Sequence, residues 1–249
     1  NMLLLLLALS AAVRERRVLA YLAVALAVGC RPFSAFAFLP LFVYFYMQDR
    51  TLKRGFLRTV LMQWKAFIPV VCAAGAYMWY NYARFGNPLE FGHNYLPEFI
   101  ESEKGQFDLS YIGVNLFNLW LRPVKLTLSL SLDYTIFNGF MFYVANPFFL
   151  LMFASAVRDA ARHNINATGV ALLAAQILIM LALCAHKTLG GWQFGARYTV
   201  DMLPLALAMV LESKSSLEHQ PTLRAWEKAA AGFGIAFNIY GAIAMNMIY

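Results

Sequence analysis

His186–Pro204 reads HKTLGGWQFGARYTVDMLP, and it stands between two apolar runs, Ala171–Ala185 and Leu203–Leu211. A histidine, a lysine, an arginine, an aspartate and a Gly-Gly pair at the mouth of apolar helices are costly unless they meet water, headgroups or a substrate. Gly190, Gly191 and Gly195 permit tight, irregular backbone, tolerated at membrane depth only beside protein or a wet cavity. Arg197 carries a planar fork that suits phosphate, and His186 and Lys187 add charge or a proton. The competing reading is an interfacial loop, with Trp192 and Tyr198 in the aromatic belt and the cations on headgroups.

Outward from this stretch the chain is apolar almost throughout. Of 249 residues 61% are hydrophobic and 13% charged, and the mean hydropathy is +0.58. A soluble domain is far more charged, so the chain reads as a polytopic, all-α membrane protein. The net charge of +7 then belongs to loops on the inner side of a membrane and implies no nucleic acid. Cys30, Cys72 and Cys184 lie singly in apolar runs and read as small buried hydrophobes.

Met2–Val13 is short for a span and is followed by Arg14, Arg16 and Arg17, the reverse of a signal peptide. It reads as the tail of a helix in a piece of a longer membrane protein. Val18–Met47 exceeds the roughly 20 residues of one perpendicular span, and Arg31-Pro32 divides it. Proline breaks the helical ladder and disfavours helix just before it, which predicts two short helices meeting at a turn; a single kinked span is the alternative. Cations flank both ends, so a hairpin with both ends inside places Arg31 at an outer tip. Val60–Tyr80 then crosses outward, with a kink expected at Pro69.

Asn81 to about Asn138 is an aromatic-rich, net-acidic outer loop, within which Leu109–Leu121 predicts a short helix on the membrane anchored by Trp120. Phe137–Val157, Ala167–Ala185, Tyr198–Leu211 and Ala229–Tyr249 complete the crossings, with Glu212–Lys228 on the inner side. Most lysines and arginines fall inside under this arrangement, and His186–Asp201, Arg31 and the acidic loop share the outer face. His93 reads as a surface residue, and His163 and His219 as solvated loop residues. Asn166-Ala167-Thr168 matches a glycosylation acceptor only by chance of position. Gly191-xxx-Gly195 matches a helix-dimer pattern, against which Gln193 and Arg197 speak.

Three phrases stand out: ALAVGCRP at Ala25–Pro32, YNYARFGNPLEFGHNY at Tyr80–Tyr95, and GGWQFGARYTVDMLP at Gly190–Pro204. Together they resemble the later part of bacterial C-type glycosyltransferases, the mannosyltransferase-like membrane enzymes that use polyprenyl-phosphate sugars. The resemblance implies a transmembrane helical bundle in the bacterial cytoplasmic membrane, with its site on the outer face. The implied partners are a polyprenyl-phosphate-linked sugar and membrane lipid. It implies that Arg197, Lys187 and Arg31, and less directly Arg84, meet the leaving phosphate. His186 joins that group, while Trp192, Tyr198 and Tyr95 stack on sugar or line a prenyl groove. The family's catalytic aspartate sits in a first outer loop that this sequence does not include, so no residue here inherits the base role, Asp201 and Glu90 included. No cofactor is fixed, and a divalent metal stays open. A transporter or flippase of lipid-linked sugars is the alternative function, and a noncatalytic membrane scaffold is a third.

Overall fold

A computed structural model describes residues 1–126, 128, 132–215 and 222–248. The chain is mostly helical and divides into two compact units: residues 1–106 with 166–179, and residues 107–165 with 180–249. His219 and residues 216–221 of the expected inner loop lie outside the described residues.

In the first unit α1 (Met2–Val13) turns through Arg14–Arg16 into α2 (Arg17–Cys30). Ala8, Ala11 and Ala12 of α1 and Ala20, Ala23 and Ala27 of α2 are all buried. Small side chains let two helix backbones approach closely where apolar residues alone supply no preference between protein and lipid. The expected break is present at Arg31, whose backbone is extended (φ −149°, ψ 113°). A 3-10 helix over Pro32–Ala37 then leads into α3 (Phe38–Thr51).

α2 and α3 form the expected hairpin. Tyr21 packs on Phe45 with ring centroids 5.8 Å apart. At the end of the hairpin remote from the break, both guanidinium nitrogens of Arg17 donate to Asp49, at 2.7 and 2.8 Å. Arg54 donates to the same carboxylate at 2.5 Å, and the Arg17 guanidinium lies 4.6 Å over the Phe45 ring. Asp49 is fully buried. Burial alone would raise its carboxyl, but hydrogen bonds from Arg17 and Arg54 hold it below its ordinary value.

α4 (Phe56–Phe85) runs longer than the expected Val60–Tyr80 and stays helical through Pro69. The Tyr21 hydroxyl donates to Gln63 of α4 at 2.8 Å, and Gly29 lets the Tyr77 ring close on α2, where a Cβ would lie 2.3 Å from it. Beyond α4 lie a 3-10 turn over His93–Tyr95 and a short α-helical turn, α5 (Pro97–Ile100).

The second unit opens with α6 (Tyr111–Trp120), close to the expected short helix. Trp120, expected as an interfacial anchor, is half-buried and packs among Phe142, Tyr143 and Phe153, with centroids 4.9–6.2 Å away. A two-stranded antiparallel ribbon follows, β1 (Lys125–Leu126) paired with β2 (Leu132–Asp133). The expected continuous crossing at Phe137–Val157 is corrected to α7 (Phe142–Ala145) and α8 (Phe148–Ala161), separated by Asn146-Pro147. Proline again sets the break.

α9 (Ala167–Ala185) has the bounds expected from its apolar run, and its residues up to Ile179 belong to the first unit. The Asn166 side chain accepts from the Gly169 N–H at 2.8 Å, so the apparent glycosylation acceptor caps a helix. α10 (Leu203–Ser215) and α11 (Ala225–Ile248) end the chain. Lys214 and Glu227, both buried, pair at 2.7 Å and tie the end of α10 to the start of α11.

Among the described residues three helices are long and apolar enough to cross a membrane: Phe56–Phe85, Ala167–Ala185 and Ala225–Met247. Of the cysteines expected to be buried, Cys184 is, whereas Cys30 and Cys72 are exposed.

Candidate functional site

The loop from His186 to Ala196 is irregular, as its glycines and polar residues require, and it ends in a 3-10 helix over Arg197–Met202 that continues into α10. Pro204 falls in the first turn of α10, where a missing N–H costs nothing.

A segment absent from the sequence expectation holds this loop in place. Residues 136–140 run beside it without helical structure. Gln193 donates its backbone N–H to Ile136 at 2.7 Å, Asn138 donates to Gly191 at 2.8 Å, and Phe140 to Gly195 at 3.3 Å. The Asn138 side chain also accepts from the Leu189 N–H at 3.3 Å. Gly139 has φ +71°, and a Cβ on it would lie 1.7 Å from the Gly195 carbonyl oxygen. Only glycine fits that crossing.

Gln193 fastens the loop from within. It is 4% exposed. Its amide nitrogen donates to the Leu189 carbonyl at 2.8 Å, and its amide oxygen accepts from the Arg197 N–H at 2.8 Å. One side chain thereby spans the loop and sets the backbone of Arg197. Phe194, next in sequence, is the loop's apolar root, with ring centroids of Tyr134, Phe140 and Phe237 at 5.0, 5.1 and 4.9 Å.

Arg197 is exposed. Its guanidinium lies 5.3 Å from the Tyr198 ring centroid, and its arm crosses Gly190, where a Cβ would be 2.8 Å from Nε. Gly190 has φ +112°, so both its backbone and its neighbour exclude a side chain. Asp201, four residues on, is the acidic residue that helical spacing would offer Arg197, but no ion pair joins the two among the described residues. Among the described residues the Arg197 fork meets no carboxylate.

His186 is 7% exposed and fastened into the fold. Its Nδ1 lies 2.7 Å from the Thr188 carbonyl, its own carbonyl accepts from Asn115 at 2.8 Å, and its ring meets Phe107 edge-on at 5.1 Å. These contacts fix the imidazole at the end of α9. Lys187 is half-buried beside it. Trp192 is 56% exposed and stands edge-on to Phe137 at 5.4 Å.

Arg31, Arg84 and Tyr95 belong to the first unit, and the loop just described to the second. The Arg84 guanidinium rests 4.8 Å over Phe85 and 5.2 Å over Tyr80, and Tyr95 stacks on Phe85 at 5.5 Å. These rings cap the end of α4. Glu90 shapes the following turn, accepting from Asn94 at 2.8 Å and from the Gly92 N–H at 2.7 Å. These bonds, that from Asn94 foremost, hold its carboxyl below the ordinary value. Arg31 caps α2 at its break, and His93 is exposed, as expected.

No three His, Cys, Asp or Glu side chains gather to hold a metal ion among the described residues. Set against protein-family models, curated proteins and solved structures, the chain matches none.

Proposed function

We propose that this chain is part of a polytopic membrane glycosyltransferase and that its His186–Asp201 loop receives the phosphate of a polyprenyl-phosphate-linked sugar on the outer face. The observation that carries this reading is the seat of Arg197. Its guanidinium is backed by Tyr198, its arm lies across Gly190, and its backbone is fixed by Gln193. A planar cation held in place without a carboxylate is suited to an anion that arrives and leaves.

In such a transfer an acceptor hydroxyl attacks the anomeric carbon and the lipid phosphate departs with the bonding electron pair. Charge grows on the phosphate in the transition state, and a cation already in position stabilises it without reorganising. Lys187, two residues from the end of α9, adds charge on the same loop. Trp192 offers its exposed face to a sugar ring or a prenyl chain. A catalytic base is not assigned within this chain. α6 is the short helix that would lie along the membrane surface.

The test is turnover of lipid-linked sugar by the full-length enzyme. Arg197→Lys keeps the charge and loses the fork, so turnover should fall about tenfold or more while insertion and expression stay intact. Parent turnover in both Arg197→Lys and Arg197→Ala would refute the phosphate role and leave an interfacial anchor. The helix breaks at Arg31-Pro32 and Asn146-Pro147 favour a second reading, a transporter of lipid-linked sugars, because such proteins use interrupted helices near their sites. Movement of the lipid-linked sugar across a vesicle membrane without sugar transfer would select it.

A further inference from the structure

A cavity of about 430 Å³ lies between the β-ribbon and the end of α11, lined in part by Asp133, Tyr134, Ile136, Tyr240, Ile243 and Met247. It is separate from the Arg197 seat, which contributes none of its walls. Tyr134 packs against Phe194 and Phe140 at 5.0 and 5.6 Å, and Tyr240 against Phe194 and Phe237 at 6.2 Å each. Ring contacts of this kind limit side-chain motion, so the tyrosine walls are set before any ligand enters. Ile243 and Met247 belong to a helix long and apolar enough to cross a membrane, and they are 57% and 83% exposed.

Asp133 lines the cavity, and Lys125 stands next to it on the ribbon. Lys125 and Asp133 are direct cross-strand partners in the ribbon, so their side chains leave the same face of it. Both are exposed. Neither side chain makes an ion pair or hydrogen bond among the described residues. A cation and a carboxylate side by side, above an apolar cavity at the end of a candidate span, match a headgroup that carries both charges.

We infer that this cavity binds a zwitterionic phospholipid with a phosphoethanolamine head. Its ammonium meets Asp133 and the tyrosine walls, its phosphate meets Lys125, and one acyl chain follows Ile243 and Met247. The carboxylate disfavours a purely anionic lipid in the same place. The volume falls in the range of a small-molecule site and is too small for a folded partner.

Native mass spectrometry of the full chain, released from dodecyl maltoside, tests this. The detergent is doped with equal amounts of dioleoyl phosphatidylethanolamine and dioleoyl phosphatidylglycerol. The parent should retain the ethanolamine lipid preferentially. Lys125→Gln and Asp133→Asn, both at exposed positions, should each reduce that retention about fivefold, the scale of one exposed charge contact. Asp133→Lys should turn the preference toward phosphatidylglycerol. Arg197→Ala should change nothing, which separates this site from the proposed phosphate seat. Equal retention of both lipids by the parent would overturn the inference. So would parent-like retention in both Lys125→Gln and Asp133→Asn, or loss of the ethanolamine lipid in Arg197→Ala.

Discussion

Arg17 and Arg197 are the same residue type, each lying against an aromatic ring, with guanidinium-to-centroid distances of 4.6 Å to Phe45 and 5.3 Å to Tyr198. Their forks meet different fates. Arg17 is buried and gives both nitrogens to Asp49, so its charge is consumed in closing the α2–α3 hairpin. Arg197 is exposed and meets no carboxylate among the described residues, yet its backbone and its arm are fixed by Gln193 and Gly190. Burying a charge is tolerable only with a partner. Holding a charge open on a surface loop has no such structural return, and the difference separates the arginine that closes the hairpin from the one whose fork stays open.

The largest effect should come from breaking the closed pair. Asp49→Ala leaves Arg17 buried without its counter-charge, a loss of about 3–5 kcal/mol, read as a lower midpoint in denaturant titration of the detergent-solubilised chain. Replacing both partners, Arg17→Met with Asp49→Leu, should recover much of that loss. No recovery would mean that Arg54 or the wider packing carries the hairpin instead.

Gln193→Ala should cost about 1–3 kcal/mol, because the buried Leu189 carbonyl and the part-buried Arg197 N–H lose their partner. It should also free the Arg197 backbone. Limited proteolysis or hydrogen exchange between Leu189 and Arg197 reads this directly, and unchanged protection there would show that the Asn138 clamp suffices alone.

Acid should distinguish the two arginines next. The Asp49 carboxyl is held below its ordinary value. Its contribution is therefore complete above the unfolded value of about 4 and is lost as pH falls through the lower folded value. The stability gap between the parent and Asp49→Asn should be constant at neutral pH and shrink below about pH 4. Equilibrium unfolding at a series of pH values checks it, and a gap that widens with acid would contradict the assignment.

Much of the fold was legible in the sequence for identifiable reasons. Arg31-Pro32 interrupts an apolar run too long for one span, and proline forces the break that Arg31 occupies. Ala167–Ala185 is an unbroken apolar run between polar residues, and its helix has those limits. Phe137–Val157 was misread because hydrophobicity is continuous there, while backbone requirements are not. Asn138-Gly139 and Asn146-Pro147 are turn dipeptides that carried the correction. Within the site, the glycines and Arg197 declared themselves as irregular backbone and an unusual charge. The Gln193 staple and the Asn138 clamp depend on partners brought together only by folding, as does the Arg17–Asp49 pair. Asp201 was a reasonable partner for Arg197 by helical spacing, but the 3-10 geometry of Arg197–Met202 changes that spacing.

The central claim is that the Arg197 fork is an open anion seat. Binding of undecyl phosphate to the purified chain in maltoside micelles, followed by quenching of tryptophan fluorescence with Trp192→Phe as the control for signal, tests it most directly. The parent should bind the phosphate ester at least about tenfold more tightly than Arg197→Ala, with Arg197→Lys between them, as expected of a charge-assisted, forked contact. Equal affinity in all three proteins would contradict the account.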